Sequence, residues 1–307
     1  MKGPHNIIRL IRTGATLERT GAMDVVLEAF RAPPRLCFAA RMLGWPFKWL
    51  GLQGDLALPP ATRALTALGP AYIKFGQVLS TRPDIVGEEL SQQLKYLQDK
   101  LPPFPLVTAK KMIEAELELP VSTIFSEFSE PVAAASIAQV HRARLADTGE
   151  EVAVKVLRPG IERAFRKDID AFYLAARWIE RLAPFSRRLR PVEVIQHFEG
   201  VVMGELDLRL ESSSAAEFAA NTAKDEGFQV PKPVWTLSSR NVMTLGWAEG
   251  IGLNDNDLID AAGHDRRVLG ARVLQLFLNH ALRDGFFHAD MHQGNLKVAA
   301  NGDIIAY

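Results

Sequence analysis

One short stretch of this chain constrains its fold more than any other. In EVAVKVL, from Glu151 to Leu157, valine occupies every second position, which is the period of a β-strand with one buried face. Lys155 stands inside this strand, and an ammonium group on a sheet is costly when it has no partner. The stretch therefore predicts a strand whose lysine is either paired with an acid or reaches water from an edge position.

The segments around this strand predict an α+β protein. Asp147-Thr148-Gly149 signals a turn before the strand, and the residues from Val132 onward indicate a small antiparallel sheet built from hairpins. A long amphipathic helix is expected from Arg266 to Arg283, and Asn301-Gly302 predicts a later hairpin turn. Helical extension, small sheet, connector and further helices follow one another in the order of a kinase-like fold.

Composition excludes several classes of function. The chain has 36 Lys and Arg against 36 Asp and Glu, so its net charge gives no argument for a nucleic-acid partner. Its single cysteine, Cys37, excludes an internal disulfide framework and a cysteine-based zinc site. The sequence contains no secretory signal pattern and no run of about 18 apolar residues, so we expect no membrane-spanning helix.

The N-terminal 60 residues are predicted to be helical, and part of them mixes aromatic with basic side chains. Trp45 and Trp49 stand close to Arg41 and Lys48 in the stretch from Phe30 to Leu52. This mixture is typical of a surface that rests on a membrane interface. It also suits a helix that packs on the rest of the protein with its cations in water, and the sequence leaves both interpretations open.

A second pattern that carries chemistry lies near the end of the chain. Asp290 and Asn295 have the D-x-x-x-x-N spacing of a kinase catalytic loop, in which the Asp orients the attacking hydroxyl and the Asn holds magnesium. His288 precedes the Asp by two positions, as that loop requires. A zinc protease is rejected because Ala289 stands between His288 and His292 where H-E-x-x-H needs Glu.

No glycine-rich loop precedes the lysine strand. Residues Ala133 to Ser136 stand where such a loop would lie. Alanine is small enough to let backbone N–H groups approach a phosphate, although it lacks the freedom of glycine at positive φ. An ordinary alanine-rich strand or helix is the alternative, and position in the chain favours the nucleotide interpretation.

Three acids provide candidate partners for the lysine. Glu205, Asp207 and Glu211 fall in one predicted helix from about Val192 to Ala220. Asp207 and Glu211 are four apart and share a face of that helix, whereas Glu205 is displaced around the axis. We expect one of the three to pair with Lys155.

Taken together, these residues resemble the UbiB family of atypical kinases, whose mitochondrial members support coenzyme Q synthesis. The resemblance runs from about residue 65 to residue 307. The matching stretches are LGPAYIKFGQVLSTRPDI from Leu68, AAASIAQVHRA from Ala133, VAVKVLRPGI from Val152, GELDLRLE from Gly204 and FFHADMHQGN from Phe286. The combination of K-x-G-Q with E-x-D distinguishes this family from ordinary protein kinases.

The resemblance implies a role for each matching residue. Asp290, Lys155 and Glu211 take the catalytic roles, with Glu211 as the partner of the lysine, and Asn295 is a magnesium ligand. The implied nucleotide-binding residues are Lys74 and Gln77 of K-x-G-Q, Glu205 and Asp207 of E-x-D, and Ala133, Ala134, Ala135 and Ser136 of the alanine-rich loop, together with Lys155.

The resemblance also implies a fold and a function. The expected fold is a protein-kinase-like bilobal fold with an N-terminal helical extension. Its divisions are an N-terminal segment at 1–60, a helical part with K-x-G-Q at 61–125, an N-lobe with inserted helices at 126–250, and the start of the C-lobe at 251–307. ATP and Mg²⁺ are the implied cofactors. The implied role is that of an atypical kinase or ATPase, which acts on a small-molecule or lipid-linked substrate and supports ubiquinone biosynthesis.

The implied location is the cytoplasmic face of the bacterial inner membrane. The implied partners are quinone-biosynthesis enzymes, their lipid intermediates and the membrane surface. The alternative function is a nucleotide-gated scaffold or chaperone for the same enzymes. No flavin, haem or non-haem iron pattern supports an oxygen-using hydroxylase.

The chain departs from the family pattern at several positions. Met291 and Gln293 replace two prolines of the catalytic loop. Gly246 stands where the family has an acid at the start of the connector between the lobes, whose backbone groups bind adenine in kinases. The metal-binding D-F-G would follow Tyr307, where the chain ends. We therefore expect an incomplete C-lobe, and little catalysis from these 307 residues alone.

Overall fold

The computed structural model describes residues 5–29, 32, 34–97, 101–182, 184–289 and 291–307. The helices are α1 (His5–Thr20), α2 (Ala22–Ala29), α3 (Pro34–Gly44), α4 (Pro60–Leu68), α5 (Pro70–Ser80), α6 (Pro83–Val86), α7 (Glu88–Leu94), α8 (Leu106–Leu117), α9 (Val121–Ile124), α10 (Ile161–Leu182), α11 (Pro191–Glu205), α12 (Leu208–Asn221), α13 (Asn256–Ala261) and α14 (Arg266–Asn279). The strands are β1 (Phe125–Ala134), β2 (Ala138–Leu145), β3 (Glu151–Leu157), β4 (Phe228–Gln229), β5 (Val242–Gly246), β6 (Ile251–Gly252), β7 (Leu296–Val298) and β8 (Ile304–Ala306).

The chain divides into two compact units. Unit 1 comprises Met1–Pro102, Ala135–Ile137 and Gly160–Gly204. Unit 2 comprises Pro103–Ala134, Ala138–Pro159 and Glu205–Tyr307. Both units are therefore built from stretches that are distant in sequence.

Unit 1 is helical, and aromatic side chains hold its central helices together. Phe75 of α5 lies 5.3 Å from Phe172 of α10 and 5.2 Å from Phe198 of α11, measured between ring centroids. Tyr72 packs edge-on against Phe172 at 4.8 Å, and its hydroxyl lies 2.6 Å from the Thr13 hydroxyl of α1. Such aromatic pairs add to the burial of apolar area, so they fix α5 against both α10 and α11.

Among the described residues, none of the helices combines the length and the apolar character that crossing a membrane requires.

A close backbone approach attaches the N-terminal segment of unit 1 to α1. A 3-10 helix over Trp45–Leu50 leads to Gly51, where a Cβ atom would lie 2.3 Å from the carbonyl oxygen of Ala15. Arg19 donates a hydrogen bond of 2.7 Å to the Gly51 carbonyl. The Leu52 N–H donates to the Thr16 hydroxyl at 3.1 Å. Glycine is thus required at position 51 because the backbone of α1 occupies the space of a side chain.

Unit 2 contains two four-stranded sheets. The first has the order β1-β2-β3-β5 and is antiparallel throughout. Val152, Val154 and Val156 of β3 are completely or almost completely buried, and they pack with Ile113 of α8 and Ile124 of α9. The second sheet has the order β4-β8-β7-β6, with β4 parallel to β8 and the other pairs antiparallel.

The structure confirms the strand and hairpins expected from the sequence. β3 has the predicted bounds, and it lies between β2 and β5, so the edge-strand interpretation of Lys155 is wrong. The predicted Asn301-Gly302 turn joins the antiparallel strands β7 and β8. Helices mixed with mainly antiparallel sheets confirm the α+β fold class.

One helix prediction is wrong. The segment from Val192 to Ala220 is two helices, because α11 ends at Glu205 and α12 begins at Leu208. The Leu208 N–H donates to the carbonyl of Arg240 at 3.0 Å instead of continuing the helix ladder. Asp207 caps α12 by accepting from the backbone N–H of Arg209, a position that aspartate favours. Glu205 is therefore the last residue of α11 and Asp207 the cap of α12, so the three acids do not share one helix.

The Gly51 contact yields a stability prediction. We expect Gly51→Ala to lower the free energy of unfolding by about 1–3 kcal/mol, because the new methyl group would overlap the α1 backbone. Gly200→Ala in α11 is the matched control, since nothing lies within 4 Å of its Cβ position. That variant should gain up to about 1 kcal/mol from helix propensity. Urea unfolding measures both, and equal stability of the two variants would contradict the close approach.

Candidate active site

The predicted partner of the strand lysine is present. Lys155 Nζ of β3 donates to both carboxylate oxygens of Glu211 on α12, at 2.6 and 2.7 Å. The side chains are 27% and 46% exposed, respectively. A partly exposed pair contributes no more than about 1 kcal/mol to stability. The pairing of Lys155 with Glu211 is confirmed, and of the three candidate acids it is Glu211 that pairs.

The sheet register places the alanine-rich segment beside the lysine. Ala133 of β1 pairs with Val140 of β2, Val140 pairs with Lys155, and Lys155 pairs with Met243 of β5. Directly opposed residues of an antiparallel sheet share a face. Lys155 and Ala133 therefore occupy one row of the sheet, two strand spacings or roughly 10 Å apart.

The alanine-rich segment is partly strand and partly turn. Ala133 and Ala134 close β1, and the turn to β2 spans residues 135–137. Ser136 is completely buried, and its hydroxyl has no hydrogen-bond partner in the described part of the chain. A buried hydroxyl without a partner costs about 1–3 kcal/mol. Phosphate contacts by this segment stay a prediction.

The two acids of E-x-D have different surroundings. Glu205 is the half-buried last residue of α11. Asp207 accepts hydrogen bonds of 2.8 and 2.6 Å from the guanidinium of Arg209, which hold the pKa of Asp207 below its usual value. The carboxylate of Asp207 is thus ionised at neutral pH and serves as a helix cap. A ligand role for either acid stays a prediction.

The K-x-G-Q motif lies on α5 in unit 1. Lys74 and Gln77 are both half-buried and one turn apart. Gly76 is buried, and a Cβ atom there would lie 2.4 Å from a methyl group of Leu97 and 2.6 Å from one of Leu65. The glycine of the motif is therefore explained by helix packing. The nucleotide roles of Lys74 and Gln77 stay predictions.

The catalytic-loop motif is described in part. Asp290, the predicted catalytic residue, lies outside the described residues. Asn295 ends a 3-10 turn, and its N–H donates to the carbonyl of His292 at 2.9 Å. The ring nitrogen Nδ1 of His292 accepts from the Gly294 N–H at 2.9 Å, so this histidine caps the turn. Within the described ranges, no group of three or more His, Cys, Asp or Glu side chains could hold a metal ion.

Sequence reasoning missed an anchor just before this loop. His280, which is fully buried, lies 3.0 Å from Asp225 through its Nε2 atom. Arg283 donates to both oxygens of the same carboxylate, at 2.6 and 2.9 Å. Hydrogen bonds from Arg283, followed by one from His280, lower the pKa of Asp225. No sequence pattern links Asp225 to residues that lie more than fifty positions away.

The anchor holds an irregular stretch of backbone. His280–Asp284 form a π-helical turn, and Gly285 ends it at a φ of 64°. Short π-helical turns occur mostly inside α-helices and often at functional sites. Asp225 fixes this turn because it binds two side chains that project from it.

Fold and site together define a kinase-like protein. A strand lysine paired with a helix glutamate, on an antiparallel sheet, is the arrangement of a kinase N-lobe. A family model described as the ABC1 atypical kinase-like domain matches residues 96–307. The chain therefore belongs to the ABC1 atypical kinase-like family.

Curated relatives carry the name that the sequence motifs predicted. The chain is 39% identical over 297 residues to a probable protein kinase UbiB of Pseudomonas paraeruginosa, covering 95% of this chain and 55% of that protein. It is 42% identical over 280 residues to one of Enterobacter sp., covering 90% and 51%. The chain spans about half the length of these curated relatives. The predicted UbiB resemblance is confirmed.

A solved structure is also similar in fold. The complex structure of Rv3197-erythromycin from Mycobacterium tuberculosis matches with a TM-score of 0.55 and 28% sequence identity. The match covers 78% of this chain and 59% of that one.

The Asp225 anchor yields a pH prediction. Because its folded-state pKa is lowered, Asp225 adds stability above its unfolded pKa of about 3.9, and this stability is lost as the pH falls through the lower folded value. We expect Asp225→Asn to cost about 1–3 kcal/mol at neutral pH and to flatten the stability curve below about pH 4. Urea unfolding at a series of pH values tests this. An acid-induced loss as steep as in the parent would contradict it.

Proposed function

We propose that this protein binds Mg-ATP and is an atypical kinase or ATPase of the UbiB type. In this proposal it supports ubiquinone biosynthesis and acts on a small-molecule or lipid-linked substrate rather than on a protein. The single observation that carries the proposal is the ion pair between Lys155 and Glu211. The curated relatives, which are named probable protein kinases, support the same reaction class.

The ion pair suits phosphate binding. An ammonium group has three donors, and Glu211 takes two of those of Lys155. The carboxylate orients the ammonium while leaving part of it exposed, as a lysine that contacts nucleotide phosphates requires. The row that joins Lys155 to Ala133 brings backbone of the alanine-rich segment to the same face. We assign the phosphates to this face of the first sheet.

Magnesium would neutralise charge on the phosphates. Asn295 is the residue that we propose as a ligand, and its amide oxygen is a type of atom that Mg²⁺ accepts. Asp290 is proposed to orient the attacking hydroxyl. Lys74, Gln77, Glu205 and Asp207 are proposed to contribute to nucleotide binding on the strength of the family resemblance alone.

The central test removes the ammonium group. We expect Lys155→Ala to weaken Mg-ATP binding by about tenfold or more, because a charge-assisted contact to phosphate is lost. Stability should change by no more than about 1 kcal/mol, since the pair is partly exposed. Lys111→Ala, on the exposed face of α8, is the matched control and should bind as the parent does. Calorimetric titration with Mg-ATP measures the affinity of both variants, and unchanged binding by Lys155→Ala would contradict the proposal.

An exposed aromatic surface favours a second candidate function. Trp45 and Trp49 are 70% and 74% exposed, and Phe38 and Met42 are also exposed. Residues 34–50 contain Arg35, Arg41 and Lys48 but no acid. We propose that this segment rests on an anionic membrane surface, which is compatible with a location at the bacterial inner membrane and with a nucleotide-gated scaffold for quinone-synthesis enzymes. Normal quinone levels in cells carrying Asp290→Asn would favour the scaffold over the enzyme.

The membrane surface has its own test. We expect the parent to co-sediment with vesicles that contain phosphatidylglycerol and to bind more weakly to vesicles of phosphatidylcholine alone. Replacing both Trp45 and Trp49 by Ser should weaken binding to the anionic vesicles by about tenfold or more, because two large apolar side chains no longer insert. Trp235→Ser, which removes an exposed tryptophan of unit 2, is the control. A membrane role would be contradicted if vesicle binding changed neither with the lipid charge nor with the paired substitution.

A further inference from the structure

A short connector joins the two sheets of unit 2. We define the connector as residues 247–250, between β5 and β6. At its start, the Trp247 N–H donates to the carbonyl of Glu151 at 3.0 Å, which ties it to the sheet of Lys155. At its end, a Cβ atom on Gly250 would lie 2.6 Å from the carbonyl oxygen of Val298 on β7. The connector backbone is thus in close contact with both sheets.

One lysine fastens the middle of the connector. Lys297 of β7 donates from Nζ to the carbonyl of Ala248 at 2.8 Å. The same ammonium lies 5.0 Å from the ring centroid of Trp247 and 5.4 Å from that of Tyr307. Both distances are within the range of cation–π attraction. Lys297 therefore holds the connector through a backbone carbonyl and an indole ring at once.

These contacts extend in two directions. The guanidinium of Arg142 on β2 lies 4.8 Å from the Trp247 ring centroid, so the indole contacts two cations. The Tyr307 hydroxyl donates to the carbonyl of Gly294 at 3.0 Å, next to Asn295. A chain of contacts thus runs from the first sheet, through the connector, to the turn that carries the proposed magnesium ligand.

The surroundings of Lys297 distinguish it from a surface lysine. Its side chain is half-buried, and Arg142 and Glu249 are the charged groups near it. Trp247 holds Glu249 in place by donating from Nε1 to its carboxylate at 2.9 Å. A partly desolvated ammonium makes stronger hydrogen bonds than one in water, so the bond to Ala248 restrains the connector.

We propose that Lys297 is a positioning residue that clamps the connector to the second sheet and thereby strengthens binding of the nucleobase. The inference rests on the nucleotide function proposed above, and it adds that backbone groups of the connector contact the base. A backbone that is already fixed loses less conformational freedom when a ligand binds. The clamp should therefore affect the base and leave the phosphates, which are assigned to Lys155, unaffected.

The clamp itself is tested without any ligand. Lys297→Met keeps the length and apolar body of the side chain but removes its charge and donors, whereas Lys297→Arg keeps both. We expect Lys297→Met to raise amide hydrogen exchange in the connector by about tenfold, with β3 unaffected. Lys297→Arg should stay close to the parent. Parental exchange in the connector of Lys297→Met would overturn the clamp.

The effect on the base is tested by comparing two ligands. We expect Lys297→Met to weaken ATP binding by about tenfold while leaving the binding of inorganic tripolyphosphate, which has no base, unchanged. Lys224→Met, at an exposed position after α12, is the control and should bind both ligands as the parent does. Equal weakening of the two ligands would overturn the assignment to the base.

The two proposals fail in different ways. A parent chain that binds neither ATP nor tripolyphosphate would overturn the nucleotide function and, with it, the role of Lys297 in base binding. Faster connector exchange in Lys297→Met would still support the clamp in that case.

Discussion

A lysine in the interior of a sheet imposes the constraint on which unit 2 depends. β3 has neighbours on both sides, so Lys155 cannot reach water by lying at an edge. Its valine neighbours face the opposite side of the sheet and are buried there, which leaves the ammonium on the other face. Glu211 satisfies that ammonium with two hydrogen bonds, and α12 must therefore pack with its first turn close to β3. The pair thus aligns the helix with the sheet more than it adds to stability, since a partly exposed pair contributes no more than about 1 kcal/mol.

The far end of α12 contacts the other part of unit 2. Phe218 lies 5.5 Å from Phe228 of β4 and 5.2 Å from the ring of His280, which is held by Asp225. One helix thus contacts the strand lysine with one end and the segment before the catalytic-type loop with the other. The connector supplies a second link between the same two regions, through Trp247 and Lys297. Because there are two independent links, the position of Lys155 relative to Asn295 is fixed by packing and does not depend on a single loop.

Much of the candidate site could be predicted from local pattern. β3 was predicted because its alternation of valines has only one structural interpretation, and a partner for Lys155 was predicted because an unpaired ammonium is expensive there. The break between α11 and α12 was missed, although Asp207 is a favoured cap, because no glycine or proline stands between Glu205 and Ala220. Leu206 and Leu208 are buried, and the hydrogen bond from Leu208 to Arg240, distant in sequence, decides where the new helix begins.

Sequence alone determined the strand of Lys155, the order of helices and sheets, the motifs that mark the family, and the acids from which the partner of the lysine comes. These are local features, since periodicity, turn residues and the cost of burying a charge act within a few positions of the chain. Tertiary structure decided that Glu211 is the partner, that Asp225 anchors His280, and that Lys297 binds the carbonyl of Ala248. Each of these contacts joins residues about fifty positions apart, and only the packing of helices and sheets brings such residues within hydrogen-bonding distance.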